Sequence, residues 1–326
     1  MHSLSTRIRF HLPVSSIGRL LRAILFLISA TGSVLPAVAE PTKAAGAGVQ
    51  TFPVGMEPNV VVFDGVDIWV VNNGSNTVTK LRASDGANLG TFAVGSGPYY
   101  AAYDGANIWV SSFYDSTLTK LRASDGALLG AYVLNQPQGV VFDGTYIWVA
   151  NGLASTVTKL QPSDGTIKGV YPAGYGANSL AFDGANIWCT NTLDASVTKF
   201  RASDGTVLGT FPVAPGPEDI FFDGTHIWVA NTIPDHSLTE FDPDDGRVLR
   251  VIPMSATPLK IGFDGDTLWV TMTRPGSVSL FSAKNGAPKG KLKIHSDHPV
   301  GIVYDGQSMW IAQSGADEVT KVTKTH

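Results

Sequence analysis

From about residue 49 onward, the chain alternates short apolar runs with polar breaks that are rich in Gly, Asp, Asn and Ser. In one stretch the apolar runs are 60–63 and 68–71, and the break between them contains Asp64-Gly65. Runs of this length, rich in Val, Ile, Thr and aromatic residues, predict β-strands. Asp-Gly is typical of a tight turn between two strands, because Gly tolerates positive φ and Asp bonds its own backbone. The pattern therefore predicts an all-β fold.

The strand pattern repeats along the chain. Tryptophans recur 39 to 41 residues apart, each preceded by an aromatic residue and an Asp-Gly pair: Trp69, Trp109, Trp148, Trp188, Trp228, Trp269 and Trp310. The first unit adds a third strand at 77–82, a turn at 84–86 and a fourth strand at 89–94. Four short strands per unit of about 40 residues indicate a β-propeller blade. We expect a seven-bladed β-propeller with four antiparallel strands per blade.

The two ends of the repeat array complement each other. The last unit starts at Pro299 and stops after Val322, without a fourth strand. The segment 48–55 matches the fourth strand of another unit, 208–213. We expect this N-terminal strand to complete the last blade and close the ring, within a propeller domain of residues 49–326.

The first 39 residues have a different composition. They contain four arginines and no acidic residue, then the apolar run 23–30 and the small residues Ala37-Val38-Ala39. This order predicts a signal peptide over 1–39, cleaved after Ala39, with a linker over 40–48. A membrane anchor is the alternative, although the apolar run is short for a bilayer span. We expect an exported protein, periplasmic or extracellular at the cell surface, with no transmembrane segment after signal removal.

Charge and cysteine content narrow the function classes. Loss of the four signal-peptide arginines would lower the formal charge from −4 to −8. An acidic surface makes nucleic acid an unlikely partner, because phosphate binding needs many Lys and Arg residues. A single cysteine, Cys189, excludes an internal disulfide, and its place beside Trp188 predicts a buried apolar role. We expect a monomer stabilised by its core.

Three short segments resemble the YVTN-type repeats of bacterial exported proteins, within the wider YncE-like and NHL-like seven-bladed propellers. They are Ile-Trp-Val-Ala-Asn at 147–151, Thr-Val-Thr-Lys-Leu at 156–160, and Thr-Phe-Pro-Val at 210–213 followed by Gly216-Pro217. The resemblance covers about 49–324. It implies an exported or cell-surface binding scaffold, and it implies nothing specific about a ligand.

A second resemblance is to the streptogramin (virginiamycin B) lyases, which also place an Asp-Gly turn before a tryptophan. Those lyases typically continue Phe-Thr-Glu after the tryptophan and open some blades with Pro-His-Gly. Here neither pattern occurs, and the third residue after Trp is Asn72, Ser112, Asn151, Asn191, Asn231, Met272 or Gln313. The alternative function is a Mg-dependent lyase acting on a cyclic peptide-like substrate. Otherwise we expect no cofactor, no metal site and no catalytic residue.

Positions at which the seven units differ are the candidates for recognition. In propellers the first strand lines the central channel, and the links between blades share a rim with the loops between strands two and three. At the blade openings the candidates are Asn59, Tyr99, Tyr100, Gln138, Asn178, Glu218, Asp219 and Lys260. The loops add Tyr114, Asp115, His236 and Arg274. Such a set is suited to a small polar ligand or an envelope protein. Solvated variable loops, or a purely structural role in the envelope, are the alternatives.

Positions that recur are interpreted as scaffold. We expect the asparagines after strand two (Asn72, Asn151, Asn191 and Asn231) to cap the following turn by bonding to backbone. The lysines of strand three (Lys80, Lys120, Lys159, Lys199 and Lys321) are expected on the outside of the ring, facing solvent.

Overall fold

The computed structural model describes residues 48–234, 236–273, 276–294 and 298–323. These residues form seven four-stranded antiparallel sheets, so the all-β, seven-bladed prediction is confirmed. Within the described ranges no helix is long and apolar enough to cross a membrane. The predicted signal peptide and the candidate residue Arg274 lie outside them.

Each blade runs from an inner first strand to an outer fourth strand. Blades one to three comprise β2 (Pro58–Phe63), β3 (Asp67–Asn72), β4 (Thr77–Arg82) and β5 (Asn88–Ala93); β6 (Pro98–Tyr103), β7 (Asn107–Ser112), β8 (Thr117–Arg122) and β9 (Leu128–Val133); and β10 (Pro137–Phe142), β11 (Ile147–Asn151), β12 (Thr156–Leu160) and β13 (Ile167–Pro172). Blades four and five comprise β14 (Ala177–Phe182), β15 (Asn186–Asn191), β16 (Ser196–Arg201) and β17 (Val207–Pro212); and β18 (Pro217–Phe222), β19 (Ile227–Asn231), β20 (Ser237–Phe241) and β21 (Val248–Pro253).

Blade six comprises β22 (Thr257–Phe263), β23 (Thr267–Thr273), β24 (Ser277–Ser282) and β25 (Pro288–Lys293). Blade seven comprises β26 (Pro299–Tyr304), β27 (Ser308–Gln313), β28 (Glu318–Thr323) and, as its outer strand, β1 (Gly48–Pro53). The pairing of β1 with β28 runs in register from Gly48 opposite Thr323 to Pro53 opposite Glu318. The predicted closure by the N-terminal strand is therefore confirmed. First strands of neighbouring blades pack against one another around the whole ring, which places them at the axis.

The aspartate of the repeated Asp-Gly pair has two structural roles: it shapes the turn and it binds the tryptophan of the next strand. In blade four, Asp183 Oδ1 accepts the backbone N–H groups of Ala185 (2.8 Å) and Asn186 (2.6 Å), which shapes the turn. Its Oδ2 accepts the indole N–H of Trp188 at 2.7 Å. The same Asp–Trp bond recurs in every blade at 2.5 to 2.8 Å. One carboxylate thus fixes both the turn and the orientation of a buried tryptophan.

The strand-three lysines do not face solvent, and that expectation was wrong. They are at most 8% exposed, and each ammonium lies 5.0 to 5.2 Å from the centre of its own blade's tryptophan ring. Each also donates to a backbone carbonyl of the following blade, as Lys80 does to Ala123 at 2.7 Å. The lysines therefore tie neighbouring blades together, because a buried ammonium needs acceptors and an aromatic face.

The recurring asparagines are structural, but they bond mainly to side chains. In blade one, Asn72 Nδ2 donates to the hydroxyls of Thr77 (3.1 Å) and Thr79 (2.9 Å) on the adjacent strand. Equivalent bonds link Asn151, Asn191 and Asn231 to the third strands of their own blades. These side chains therefore lock strand two onto strand three and are not presented to a ligand. Cys189 is buried as expected, and burial raises the pKa of its thiol to about 12.

Candidate functional site

Two tyrosines of blade two reach across the channel to two carboxylates of blade five. Tyr99 OH donates to Glu218 Oε1 at 3.1 Å, and Tyr100 OH donates to Asp219 Oδ1 at 3.3 Å. Blades two and five are three positions apart, the largest separation in a ring of seven. These four side chains, which were predicted to lie at the channel, therefore meet across its axis.

These residues lie at the rim predicted from the repeat. Each first strand begins beside the end of its second strand, as Pro98 pairs with Ser112. The following loop folds back onto the link, with Phe113 N–H donating to Gly97 at 3.0 Å. Links and strand two-to-three loops therefore share one rim, and Tyr99 is one residue nearer to it than Tyr100.

The deeper layer of the site is centred on Asp219, which is 7% exposed. Its Oδ1 accepts the hydroxyl of Ser179 at 3.0 Å and lies 3.2 Å from the ammonium of Lys260. Its Oδ2 accepts the backbone N–H of Ile261 at 3.0 Å. Together with the bond from Tyr100, these partners use both carboxylate oxygens, which is what a buried charge requires.

Lys260 is the cation of this layer. Its ammonium donates to the hydroxyl of Tyr100 and lies 4.1 Å from the centre of that ring. Burial lowers the pKa of Lys260 to about 7. Burial also raises the pKa of Asp219 to about 8, against the opposing effect of the bonds from Ile261 and Ser179. Burial therefore acts against the charged form of both members of this pair.

Three candidate residues at the blade openings contact the protein backbone around the channel. Asn59 Nδ2 donates to the backbone carbonyl of Tyr99 at 3.0 Å, and Asn178 Nδ2 donates to that of Glu218 at 3.2 Å. Each bond crosses to the next blade and holds the strand that presents a channel residue. The amide of Gln138 packs against Gly152.

The contacts described for the loop candidates lie outside the axial cluster. Tyr114 is 53% exposed and stacks edge-on against Phe113 at 5.6 Å between ring centres. Asp115 accepts the backbone N–H of Ser96 at 2.6 Å, so it stabilises the link that leads into blade two. His236 Nε2 lies 3.4 Å from the hydroxyl of Thr257. These three residues lie at the rim, whereas Arg274 lies outside the described residues.

One member of the buried layer was not among the sequence candidates. Ser179 is 1% exposed and bonds Asp219 directly. The available signal was positional, because Ser179 occupies the same place in its blade as Tyr100, Asp219 and Lys260 do in theirs. A small hydroxyl beside bulkier polar residues gave no chemical reason to select it.

We define the channel-mouth cluster as Tyr99, Tyr100, Ser179, Glu218, Asp219 and Lys260. Its outer pair, Tyr99 and Glu218, is partly exposed, whereas the other four are buried. The outer pair offers a carboxylate and an aromatic face to solvent, above a floor whose polar groups bond to one another. Among the described residues, no group of three or more His, Cys, Asp or Glu side chains is placed to hold a metal ion.

Comparisons with known proteins support the fold alone. No family model matches the chain, and no curated protein matches it. Hydrazine synthase from Kuenenia stuttgartiensis is similar in structure, with a TM-score of 0.75 and 16% identity over 87% of this chain and 99% of that one. A catalytically inactive virginiamycin B lyase from Staphylococcus aureus, solved with quinupristin, has a TM-score of 0.74 and 18% identity over 86% of this chain and 100% of that one. A streptogramin B lyase structure has a TM-score of 0.71 and 18% identity over 85% of this chain and 97% of that one. The chain is thus similar to seven-bladed β-propellers of unrelated activity.

Proposed function

We propose that this protein is an exported binding scaffold that recognises a small polar ligand, bearing a positive charge, at the channel mouth. The observation that supports this most directly is the bond between Tyr99 and Glu218 across the channel, from opposite sides of the ring. Both side chains remain partly exposed, so a ligand can reach them from the rim.

The chemistry of the outer pair favours a cation. A carboxylate attracts an ammonium or guanidinium group, and a tyrosine ring beside it adds a cation–π contact. In this proposal the ligand cation takes the place of the Tyr99 hydroxyl at Glu218, while the ring of Tyr99 moves to cover it. The bond from the Tyr99 hydroxyl to the Glu218 carboxylate is given up in this exchange, and the charge-assisted contact of the ligand cation with the same carboxylate compensates for it.

The buried layer supplies rigidity. Tyr100, Asp219 and Lys260 join blades two, five and six below the outer pair. A site whose floor is already fixed loses little entropy when a ligand binds, which improves affinity. In the proposed function these residues position the mouth and do not contact the ligand.

Isothermal titration calorimetry with defined probes tests the proposal. The probes are argininamide and choline as cations, and N-acetylglycine as an anionic comparison. We expect heat of binding with the cations alone, and an affinity about tenfold lower in Glu218→Gln, equivalent to about 1.4 kcal/mol. Tyr99→Phe should lose less affinity, because it keeps the ring.

Glu57→Gln is the matched control, since Glu57 is an exposed carboxylate on the link into blade one. It should bind the cations as the wild type does. Absence of binding by both cations, or wild-type affinity in Glu218→Gln, would exclude the proposed site. Recovery of the mature chain from the periplasm or medium, beginning at Glu40, tests export separately.

A metal-assisted lyase is the second candidate function. Two observations favour it: the structural similarity to virginiamycin B lyase, and the phenol, amine and carboxylate that meet at Tyr100, Lys260 and Asp219. A set of this kind can move a proton in an elimination reaction. Incubation with quinupristin and Mg²⁺ should yield a linear isomer of unchanged mass, which chromatography and fragment mass spectra distinguish from the cyclic substrate, and which is absent with EDTA. Intact quinupristin in both samples would rule the lyase out.

A further inference from the structure

Blade four carries two bulky apolar side chains side by side at the rim of the channel mouth. Tyr175, in the link before its first strand, is 54% exposed, and Leu193, in its strand two-to-three loop, is 45% exposed. The loop is bonded to the link, because Thr192 N–H donates to the carbonyl of Gly176 at 3.0 Å and Leu193 N–H donates to that of Tyr175 at 3.1 Å. Asp194 in turn accepts the N–H of Tyr175. These bonds fix two apolar side chains in place without burying them.

The close approach of the loop to the link requires the glycine at 176. Its φ is +77°, and a Cβ atom there would lie 2.9 Å from Cγ of Leu193. Glycine is the residue that tolerates both conditions. Leu193 therefore packs against the backbone of the link and is already in position in the free protein, which lowers the entropic cost of binding a ligand.

This apolar pair is specific to blade four among the described blades. In blade one the equivalent loop position is Gly74, and in blade two the equivalent link position is Ser96. Single apolar side chains are normal on a protein surface, whereas adjoining ones at the edge of a concave site are typical of a contact surface. The pair is therefore a candidate for recognition.

The apolar pair lies beside the carboxylate of the channel mouth. The hydroxyl of Thr192, the residue before Leu193, donates to the carbonyl of Pro217 at 2.8 Å, and Pro217 directly precedes Glu218. Asn178, at the start of the first strand of blade four, donates to the carbonyl of Glu218 at 3.2 Å. Blade four therefore holds the strand that presents Glu218 through both its loop and its first strand. A cation bound to Glu218 has the apolar pair next to it.

The charge of the surrounding rim favours a basic ligand. Among the described residues of the links and strand two-to-three loops there is no Lys or Arg, and there are four acidic residues: Glu57, Asp115, Asp194 and Asp317. Arg274, in blade six, lies outside the described residues. An acidic rim attracts a basic partner and repels an acidic one.

On the basis of the cation site proposed above, we propose that the ligand is a peptide segment in which a basic residue adjoins a bulky apolar residue. The basic side chain binds Glu218, and the apolar side chain packs against Tyr175 and Leu193, where burial of apolar surface adds affinity. Consecutive residues of a peptide carry these two groups about 3.8 Å apart between Cα atoms and leave the polar backbone in solvent.

Isothermal titration calorimetry with short peptides tests the proposal. The reference is N-acetylargininamide, which offers the cation alone, and the probes are Ac-Leu-Arg-NH₂ and Ac-Arg-Leu-NH₂, which cover both chain directions. At least one probe should bind about tenfold more tightly than the reference, because its leucine side chain is removed from water. The same peptides with Asn in place of Leu should bind as the reference does. n-Hexylamine, which joins a cation to an apolar chain without a peptide, should not show this gain.

Two substitutions on blade four locate the apolar contact. Leu193→Asn and Tyr175→Ser should each remove most of the tenfold gain and leave the affinity for N-acetylargininamide unchanged, because neither alters Glu218. Leu153→Asn is the matched control, since Leu153 has the same loop position in blade three and is 48% exposed. This variant should keep the full gain. All three side chains are exposed, so the variants should fold as the wild type does, which circular dichroism and thermal unfolding check.

The outcomes separate this inference from the cation site on which it rests. If N-acetylargininamide binds in a manner that depends on Glu218, but leucine adds no affinity or n-hexylamine gains as much, the peptide is excluded and the cation site stands. A gain that is lost equally in Leu153→Asn would overturn its placement on blade four. If neither the reference nor the peptides bind, both proposals fail.

Discussion

At the scale of single residues, Asp219 and Lys260 form an ion pair at the ring axis in which burial acts on both members. It raises the pKa of Asp219 and lowers that of Lys260. A carboxyl whose pKa is raised on folding stabilises the protein at low pH, and this contribution is lost as pH rises through the folded pKa. A lysine whose pKa is lowered on folding stabilises the protein at high pH, and this contribution is lost as pH falls through the folded pKa.

The two single substitutions should therefore have opposite pH dependence. Lys260→Met leaves Asp219 buried without its cation, so this variant should lose more stability at pH 9 than at pH 5. Asp219→Asn leaves Lys260 without its anion and should lose more at pH 5 than at pH 9. Each should cost about 3–5 kcal/mol at its unfavourable pH, the usual penalty for an unpaired buried charge. Urea unfolding of each variant at both pH values measures this.

The double variant Asp219→Asn with Lys260→Met is the control, because it removes both charges. Its stability relative to the wild type should vary less with pH than that of either single variant. If the loss of stability depended on pH in the same way in both single variants, this would contradict the pairing of Asp219 with Lys260.

The Asp-Gly aspartates are a second residue-scale feature with a measurable effect. Asp183→Ala removes the acceptor of the Trp188 indole and two turn bonds. It should lower the free energy of unfolding by about 3 kcal/mol, since hydrogen bonds to a charged group are worth about 1.5–3 kcal/mol each and are not additive. Asp204→Ala is the control in an exposed turn, where the bond to Thr206 is open to solvent. It should cost less than half as much in the same chemical denaturation experiment.

At the scale of the element, blade five replaces the usual lysine with another buried set. Glu240 occupies the lysine position on β20, and its carboxylate lies 3.3 Å from Arg250 Nε and 3.3 Å from His226 Nδ1. Arg250 in turn occupies a position that is glycine in most other outer strands, and it lies beside Gly286 of blade six. The two departures from the repeat therefore compensate each other.

The effects of substituting Glu240 and Arg250 on the free energy of unfolding should be strongly coupled. Glu240→Lys alone places an ammonium beside Arg250 and should cost about 3–5 kcal/mol, as for other unpaired buried charges. Adding Arg250→Gly restores the repeat pattern, and the double variant should recover most of that loss. A double-mutant cycle measured by chemical denaturation gives the coupling. Additive effects of the two changes would show that the residues act independently.

The elements themselves were largely predictable from the sequence. Strands, turns and blade order follow from apolar runs and Asp-Gly pairs, which act between residues close in the chain. The strand-three lysines were misplaced because alternation on one strand does not reveal what the next blade brings to it. Lys80 is buried by Ala123, a residue 43 positions away.

At the scale of the whole molecule, the ring is closed by the N-terminal strand. Phe52 of β1 stacks on Trp310 at 5.5 Å between ring centres, and it lies over Gly86 of blade one. Phe92 has the equivalent place in blade one, with its ring tilted against that of Trp69 at 5.6 Å between ring centres and lying over Gly126.

The contact by which β1 closes the ring should therefore stabilise the protein as much as the equivalent contact between blades one and two. Phe52→Ala and Phe92→Ala should each lower the free energy of unfolding by a similar amount, about 2–4 kcal/mol, because both rings are only partly buried. Thermal or urea unfolding of the two variants makes the comparison directly. A near-neutral Phe52→Ala beside a costly Phe92→Ala would mean that the closing strand is not docked in solution.

The sequence by itself determined the repeat, its number and its closure, because these depend on local patterns and on the match between the two ends. It also pointed to the blade openings as the positions that vary. Only the tertiary structure decided that Tyr99 meets Glu218, 119 residues away, and that Tyr100, Asp219 and Lys260 are buried together. The physical reason is that partners across a ring axis depend on closure and register.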